Sequence, residues 1–362
     1  MSPSVGKLGF AVVGSGAIAS THIEAIRAEP DLRLLGLYGR NPRTSQTLAD
    51  KYQTRAFPSL EALLAEPGLD GVLLATPSGA HLEPALAAFA AGKHVLSEKP
   101  LEVTTDRCQR MVEAARDSGC LLGGFFPMRT RHAAQRMKDA VEEGRFGRLT
   151  FVSARVKWWR DPDYYRQSSW RGTWALDGGG ALMNQGCHAV DLMIWLAGRP
   201  ERISASMDHL VHREIEAEDT LAAQLRFQNG ALGTIEATTS SYPGLDLSIE
   251  LSGERGTVVM ENNRIVRWSF AEEKPEDEGI RAEMDEVSGS GAGDPKVTSC
   301  EGHRRQLEAF TEAIRNPGSP YLSGEEATTA VTLIEAAYQS AREQRVVKVD
   351  PIAPTGTSGR HR

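Results

Sequence analysis

The sequence predicts an α/β unit, a doubly wound parallel sheet, followed by an α+β unit built on an open antiparallel sheet. Three observations carry this. Short apolar β-type runs alternate with helical patterns over the first 125 residues; longer alternating strands take over after about residue 145; and Asn229-Gly230 breaks one of those strands into a hairpin. The expected boundaries are 1–126 for the first unit, 127–350 for the second and 351–362 for a disordered tail.

In order, "KLGFAVVG" reads as a strand, "IASTHIEAIRAEP" as a helix, "LRLLGLYG" as a strand, and "DGVLLAT" and "GKHVLSEKP" as two more. Continuous apolar strands of this kind are buried on both faces, which needs helices above and below a parallel sheet. Gly92 and Gly119 stand where helices should stop, the second after Thr105 to Ser118. In the second half "RLTFVSARVKW", "RISASMDHLVH" and "TLAAQLRFQNGALGTIEATTS" alternate with period two, and "DLSIELSG" and "GTVVMEN" turn at Glu254-Arg255. Residues 271–300, charged and Gly-rich, read as a mobile loop or insertion. "HRRQLEAFTEAIRN" and "GEEATTAVTLIEAAYQSARE" are amphipathic helices.

The 362 residues, 40% hydrophobic and 25% charged, suffice for two packed cores. A formal charge of −7 argues against an extended basic surface, so nucleic acid is not an expected partner. Neither a signal-peptide order nor an apolar run of roughly 20 residues is present, which gives the expectation of a cytoplasmic protein with no membrane partner. Cys108, Cys120, Cys187 and Cys300 lack the spacing of disulfide or zinc frameworks, so free thiols and no metal are expected.

"FAVVGSGAIAS" places Gly14, Gly16 and Ala19 as G-x-G-x-x-A between a strand and a helix, with Ala17 and Ile18 opening that helix. This is the dinucleotide turn of a Rossmann fold: the first glycine permits the turn, the second lets backbone approach a pyrophosphate, and the small third residue packs helix on strand. The second strand ends "GLYGRNPR", with Gly39 where a ribose-binding carboxylate usually stands and Arg40 and Arg43 after it. A neutral opening beside guanidinium groups accepts a 2′-phosphate, so NADP is expected in preference to NAD.

"ATPSGAH" at 75–81, "GKHVLSEKP" at 92–100 and "WRGTWALDGGGALMNQGCHAVD" at 170–191, together with the glycine turn, resemble the Gfo/Idh/MocA family of glucose-fructose oxidoreductase, inositol dehydrogenase and rhizopine-catabolism oxidoreductases over nearly the whole chain. The resemblance implies a pyridine-nucleotide oxidoreductase acting on a sugar, polyol or sugar derivative, and a homodimer or homotetramer through the antiparallel sheet. It also implies that Glu98 and His81 lie by the nicotinamide ribose or the cofactor cleft, with Thr76 and Pro77 leading there.

The residues themselves suggest the chemistry. Moving hydride to or from a secondary alcohol needs a group to handle the hydroxyl proton and a cation or donor for the developing oxyanion. Lys99, at the carboxyl end of a parallel strand, suits the second task and is a candidate for the first. If a helix follows Gly178–Gly180, then Ala181, Asn184, His188 and Asp191 share one stripe, while Met183, Cys187, Val190 and Ile194 share an apolar one. The expectation is His188 as general acid/base, Asn184 as a contact orienting a substrate hydroxyl, Asp191 as a second polar contact or a structural partner, and glycines that let the chain pass close to cofactor or sugar. Asn184 departs from the family, whose usual residue there is Asp. Tyr165, Trp170 and Arg171, from an aromatic and arginine-rich run, are candidates for the sugar, with core packing as the competing reading for the aromatics, and the arginines there could also meet an acidic sugar or a nucleotide-sugar phosphate. Two other readings stay open on this scaffold: a glycosidase that recycles its cofactor, and a non-catalytic dinucleotide-binding regulator.

Overall fold

The computed structural model describes residues 6–286 and 300–350. The first sheet forms from β1 (Leu8–Val13), β2 (Leu32–Tyr38), β3 (Gly71–Leu74), β4 (His94–Ser97) and β5 (Leu122–Gly124), all parallel, in the order β2-β1-β3-β4-β5. Between them run α1 (Ala17–Ala28), α2 (Pro42–Lys51), α3 (Leu60–Leu64), α4 (Leu82–Ala90) and α5 (Thr105–Ser118). Local chemistry sets these ends. Asn41 caps α2, with Pro42 in its first turn; Thr104 caps α5 by accepting the Arg107 N–H at 3.2 Å; and Gly119 stops α5 at φ 71°.

Alternate residues of β1 pack on opposite faces. Phe10 and Val12 meet Ile23 and Ile26 of α1, and Ala11 and Val13 face the α4–α5 side, all of them fully buried or nearly so. Strand order reverses at β1, with β2 on one side and β3 on the other, and this is where such sheets open a ligand crevice.

The second half comprises α6 (His132–Glu142), β6 (Leu149–Lys157), α7 (Pro162–Arg166), a π-helical turn at Ala181–Gly186, α8 (Cys187–Ala197), β7 (Pro200–Asp208), β8 (Thr220–Phe227) and β9 (Leu232–Thr238). It continues with β10 (Ser248–Gly253), β11 (Gly256–Glu261), β12 (Arg264–Phe270), α9 (Pro275–Glu286), α10 (Glu301–Arg315), α11 (Gly324–Glu343) and β13 (Val347–Lys348). Its strands form one sheet in the order β12-β11-β10-β6-β9-β8-β7-β13. In β8, Leu221, Ala223, Leu225 and Phe227 are buried and the residues between them face outward. Helix α10 returns to the first sheet, where Leu307 and Phe310 join the core built on α1.

Three sequence expectations change. The sheet is mostly antiparallel, but β6 and β9 pair in parallel, because the chain leaves β6 through α7, α8 and the β7–β8 pair before β9 enters alongside. Part of the 271–300 stretch is helix α9, anchored by Asp277, which accepts from the Arg145 guanidinium at 2.7 Å, Trp268 Nε1 at 2.6 Å and the Lys274 N–H at 2.8 Å. The rest of that stretch, 287–299, and the tail 351–362 lie outside the described residues. Finally, the segment after Gly180 starts with a π turn before becoming α-helical at Cys187.

Candidate active site

A cleft of about 1730 Å³ runs along the carboxyl ends of β1, β3 and β4 and continues beneath the π turn. Gly14, Gly16, Ala17, Ile18, Gly39, Arg40, Thr76 and Pro77 line one half; Glu98, Lys99, Trp170, Arg171, Asn184 and His188 line the other.

In the first half Gly14 has φ +123°, and a Cβ there would lie 2.3 Å from the Ala75 carbonyl oxygen. Gly16 differs. It begins α1 with no side-chain cap, and a Cβ there would meet nothing within 4 Å among the described residues, so the helix's free N–H groups open onto the cleft. This is a fit for a diphosphate. At Gly39 a Cβ would lie 2.5 Å from Ser15 Oγ and 2.7 Å from Ser45 Oγ, so a side chain there would require both serine hydroxyls to turn away. Arg40 lines the cleft, whereas Arg43 sits exposed in the first turn of α2 outside it.

Where β4 ends, Glu98 is held from three sides. Its Oε1 lies 2.9 Å from His22 Nε2 of α1 and 3.1 Å from His303 Nε2 of α10, and its Oε2 accepts the Lys99 N–H at 3.1 Å. Burial pushes the Glu98 pKa up, but the two imidazoles prevail and hold it well below the usual carboxylate range. The Nδ1 atoms of both histidines are buried without hydrogen-bond partners among the described residues, and His22 Nε2, although close to Glu98, is not aligned for a hydrogen bond to it. A neutral His303 donating through Nε2–H leaves only an unsatisfied acceptor at its Nδ1, whereas a metal on both Nε2 atoms would strand two N–H donors; the cluster suits a braced carboxylate better than a metal site. His81, expected in the cofactor cleft, is wholly buried behind it. Its ring nitrogens lie 3.1 Å from the carbonyl oxygens of Thr76, Pro100 and Leu101, tying together the turns after β3 and β4.

Lys99 Nζ donates to the Asn184 carbonyl oxygen at 3.0 Å, joining residues 85 apart in sequence. The Asn184 amide donates to Asp177 Oδ1 at 2.6 Å, and Asp177 Oδ2 accepts the Gly172 N–H at 2.8 Å. Burial pushes the Asp177 pKa up to about 6, against these hydrogen bonds. With one of its two amide N–H groups given to Asp177, Asn184 keeps its side-chain oxygen as an acceptor. His188 lies edge-on to Phe126 at 6.0 Å; burial, then the charge of Lys99, push its pKa well below the ordinary histidine value, so it is neutral.

The π turn is capped from a distance. Glu218 accepts the Gly180 N–H at 2.9 Å, the Leu182 N–H at 2.8 Å and the Tyr338 hydroxyl at 3.0 Å, and burial pushes its pKa up to about 7. The glycines that lead in serve this packing and do not line the cleft. A Cβ on Gly180 would sit 1.7 Å from the Glu218 carbonyl oxygen, one on Gly179 2.1 Å from the Tyr338 hydroxyl, and one on Gly178 2.6 Å from Val103.

Two expected substrate contacts lie elsewhere. Asp191 is buried in a bidentate pair with Arg129 at 2.6 and 2.7 Å, claimed by the turn that follows β5. Tyr165 packs its ring 4.9 Å from His212, with its hydroxyl 2.9 Å from Thr239 Oγ1. Its neighbour Tyr164, on the other side of the short helix α7, lines the cleft instead and receives Gln185 Nε2 at 3.1 Å. Asp177, Glu218, His22, His303 and Tyr164 were not singled out from the sequence. Only Asp177, two turns before Asn184, left a readable signal, as a carboxylate close to the position where the family's Asp is absent.

A glycine-turn cleft joined to a lysine–histidine pair at a strand end defines a pyridine-nucleotide oxidoreductase. The family comparison agrees: the model of the oxidoreductase family with an NAD-binding Rossmann fold matches residues 8–125, and that of the GFO/IDH/MocA C-terminal domain matches 134–259. The chain belongs to the Gfo/Idh/MocA family and is an NAD(P)-dependent enzyme. It resembles the WlbA dehydrogenase of Bordetella pertussis, solved with NADH and UDP-GlcNAcA, at 36% identity and TM-score 0.85, covering 96% of this chain and 100% of that one. The WlbA structure from Chromobacterium violaceum, with the same ligands, gives 33% identity and TM-score 0.87 over 96% and 97%. The myo-inositol 2-dehydrogenase of Thermotoga maritima is 26% identical, covering 94% of this chain and 98% of its own.

Proposed function

We propose that this enzyme transfers hydride between NADP or NAD and a secondary alcohol or ketone of a sugar, polyol or sugar derivative. One observation carries the reading: Lys99, Asn184 and His188 converge in the same cleft as the open N-terminus of α1. The relatives named for inositol oxidation or solved with a sugar nucleotide support it. Bound nicotinamide supplies the hydride acceptor or donor. Lys99 presents an ammonium to the substrate oxygen as charge develops, neutral His188 takes the hydroxyl proton, and the Asn184 carbonyl oxygen orients a neighbouring hydroxyl. A base must be unprotonated to act, and burial keeps His188 so.

Absorbance in the reduced-nicotinamide band, with NADP or NAD and a panel of sugars, inositols, glycosides and keto forms, tests this. Substrate-dependent change is expected. Glycoside cleavage with no net change in the band would point to cofactor recycling, and silence on every substrate would favour a regulator. NADP is the expected preference, supported by the lack of a carboxylate at Gly39 and by Arg40 on the cleft; tighter NAD binding would overturn it. A homodimer or homotetramer through the outer sheet face is supported by the cross-strand neighbours Phe151 and Leu232, exposed at 39% and 46%; a monodisperse monomer in light scattering would refute it. A cytoplasmic setting completes the reading, checked by cell fractionation.

A further inference from the structure

Arg131 stands at the N-terminal end of α6 without capping it through its side chain, and it lines the cleft near His188, whose proton affinity its charge lowers. The side chain is largely buried, yet among the described residues it has no hydrogen bond or ion pair, and burial alone displaces its pKa, downward. Other arginines in protected positions are matched: Arg129 by Asp191 and Glu326, Arg107 by Glu102 and Glu83, Arg145 by Asp277. A guanidinium withdrawn from water without a counter-charge is unfavourable, and ligand sites are where proteins keep one.

The surroundings share this character. Arg160 stacks over Trp158 and Tyr164, and Arg171 over Tyr164 and Trp170; each donates to one carbonyl oxygen, neither has a carboxylate in salt-bridge range among the described residues, and each has a buried, unpartnered Nε. The carboxylates on the cleft are engaged where they could compete, Glu98 by two histidines, Glu83 by Arg107 and Glu24 by Tyr52. A chain with formal charge −7 thus gathers Lys99, Arg131, Arg160 and Arg171 in the substrate half of its cleft.

We infer that the substrate is an anionic sugar bearing a carboxylate, a uronic acid free or nucleotide-linked, and that Arg131 is the specificity residue that receives this carboxylate beside the reacting hydroxyl. The inference rests on the proposed sugar oxidoreductase. The planar guanidinium fork matches a carboxylate bidentately. The cofactor's diphosphate has its own cradle at Gly16, at the end of β1, whereas Arg131 stands with Lys99 and His188. Binding also tunes the base: a carboxylate on Arg131 offsets one of the charges that suppress His188, so its proton affinity rises when substrate arrives.

Calorimetry on the NADP-loaded protein with glucuronate and glucose, and with their UDP conjugates, tests this. The uronate of at least one pair should bind about tenfold or more tighter than its neutral partner, and which pair does so separates the free from the linked acid. Arg131→Gln should abolish that preference while glucose-type ligands and NADP bind as before, and Arg131→Lys should restore part of it; unchanged NADP affinity certifies the fold. Equal binding of uronate and neutral sugar, or a loss of NADP affinity in Arg131→Gln matching the loss for uronate, overturns the inference. Binding of neutral sugars alone overturns it and leaves the oxidoreductase reading standing; binding of neither class overturns it too, while the oxidoreductase reading falls only if the nicotinamide band stays silent on every substrate.

Discussion

Gly14 to Ala19 and Gly178 to Gly180 both lead into a helical segment that carries site residues, yet Gly16 and the Gly179–Gly180 pair meet opposite surroundings. Beside Gly16 there is open cleft; beside Gly179 and Gly180 there are the Tyr338 hydroxyl and the Glu218 carbonyl oxygen, closer than any Cβ could tolerate. The first glycine turn is shaped around something that binds. The second is shaped around the protein itself, which closes on the π turn and fixes where Asn184 and His188 point. Glycine composition alone does not distinguish the two, since both uses need a missing Cβ.

Substitutions can break this contrast, and the largest effect is expected where the closed segment meets the chemistry. His188→Ala should lower turnover on the true substrate about 10²- to 10⁴-fold with NADP affinity intact; unchanged turnover removes His188 from the mechanism. Next, Gly180→Ala should destabilise the protein by about 3 kcal/mol or more, since the new methyl meets backbone that cannot yield, and thermal unfolding reads this directly. Gly16→Ala should leave unfolding within about 0.5 kcal/mol of the parent, since φ −78° suits alanine, yet weaken dinucleotide binding about tenfold; a stability loss without a binding loss would erase the contrast.

Glu218 gives a pH signature. Its folded pKa is raised to about 7 from 4.5, so the unfolded chain releases this proton first and stability falls as pH rises between those values; the full penalty stands above about 7 and none remains well below 4.5. Glu218→Gln should flatten that fall, a difference of a few kcal/mol at pH 8 in matched denaturation curves. The smallest effect is expected at His303. Gln there can still donate to Glu98, so turnover should change by only about threefold, whereas Phe should lower kcat more than it raises KM and move the acid limb of the pH profile upward as Glu98 loses a donor. That acid limb reads the coupled protonation of Glu98 and of the base His188 on the helix opposite, with His22 on α1 and Lys99 at β4's end as their neighbours.

Much of the first half was legible because its signals are local. The glycine turn, the apolar strands and the helix stops at Gly92 and Gly119 each depend on residues a few positions apart, and so does the placement of Lys99 at a strand end. The hairpins at Asn229-Gly230 and Glu254-Arg255 belong to the same class. In the second half helical spacing put Asn184, His188 and Asp191 on one stripe, and two of the three do line the cleft. The third does not, since Arg129 arrives from β5 with the better partner, and Tyr165 yields the cleft to Tyr164 because residues on one turn of helix face different ways. Helix α9 was hidden by its own charge, which reads as loop until Arg145 and Trp268 are seen to hold Asp277.

By itself, then, the sequence determined the dinucleotide turn, the two kinds of sheet and the identity of the lysine and histidine that meet in the cleft, all properties of short-range periodicity and turn chemistry. Only the tertiary structure decided which polar groups are free to act. Asp191, His81 and Glu98 carry the same functional groups as any site residue, but partners contributed from distant segments, Arg129, the turns after β3 and β4, and the two histidines, engage them. Arg131 stands unengaged for the same reason in reverse: no distant segment among the described residues brings it a counter-charge, and that pairing is a property of folded neighbours that no local pattern encodes.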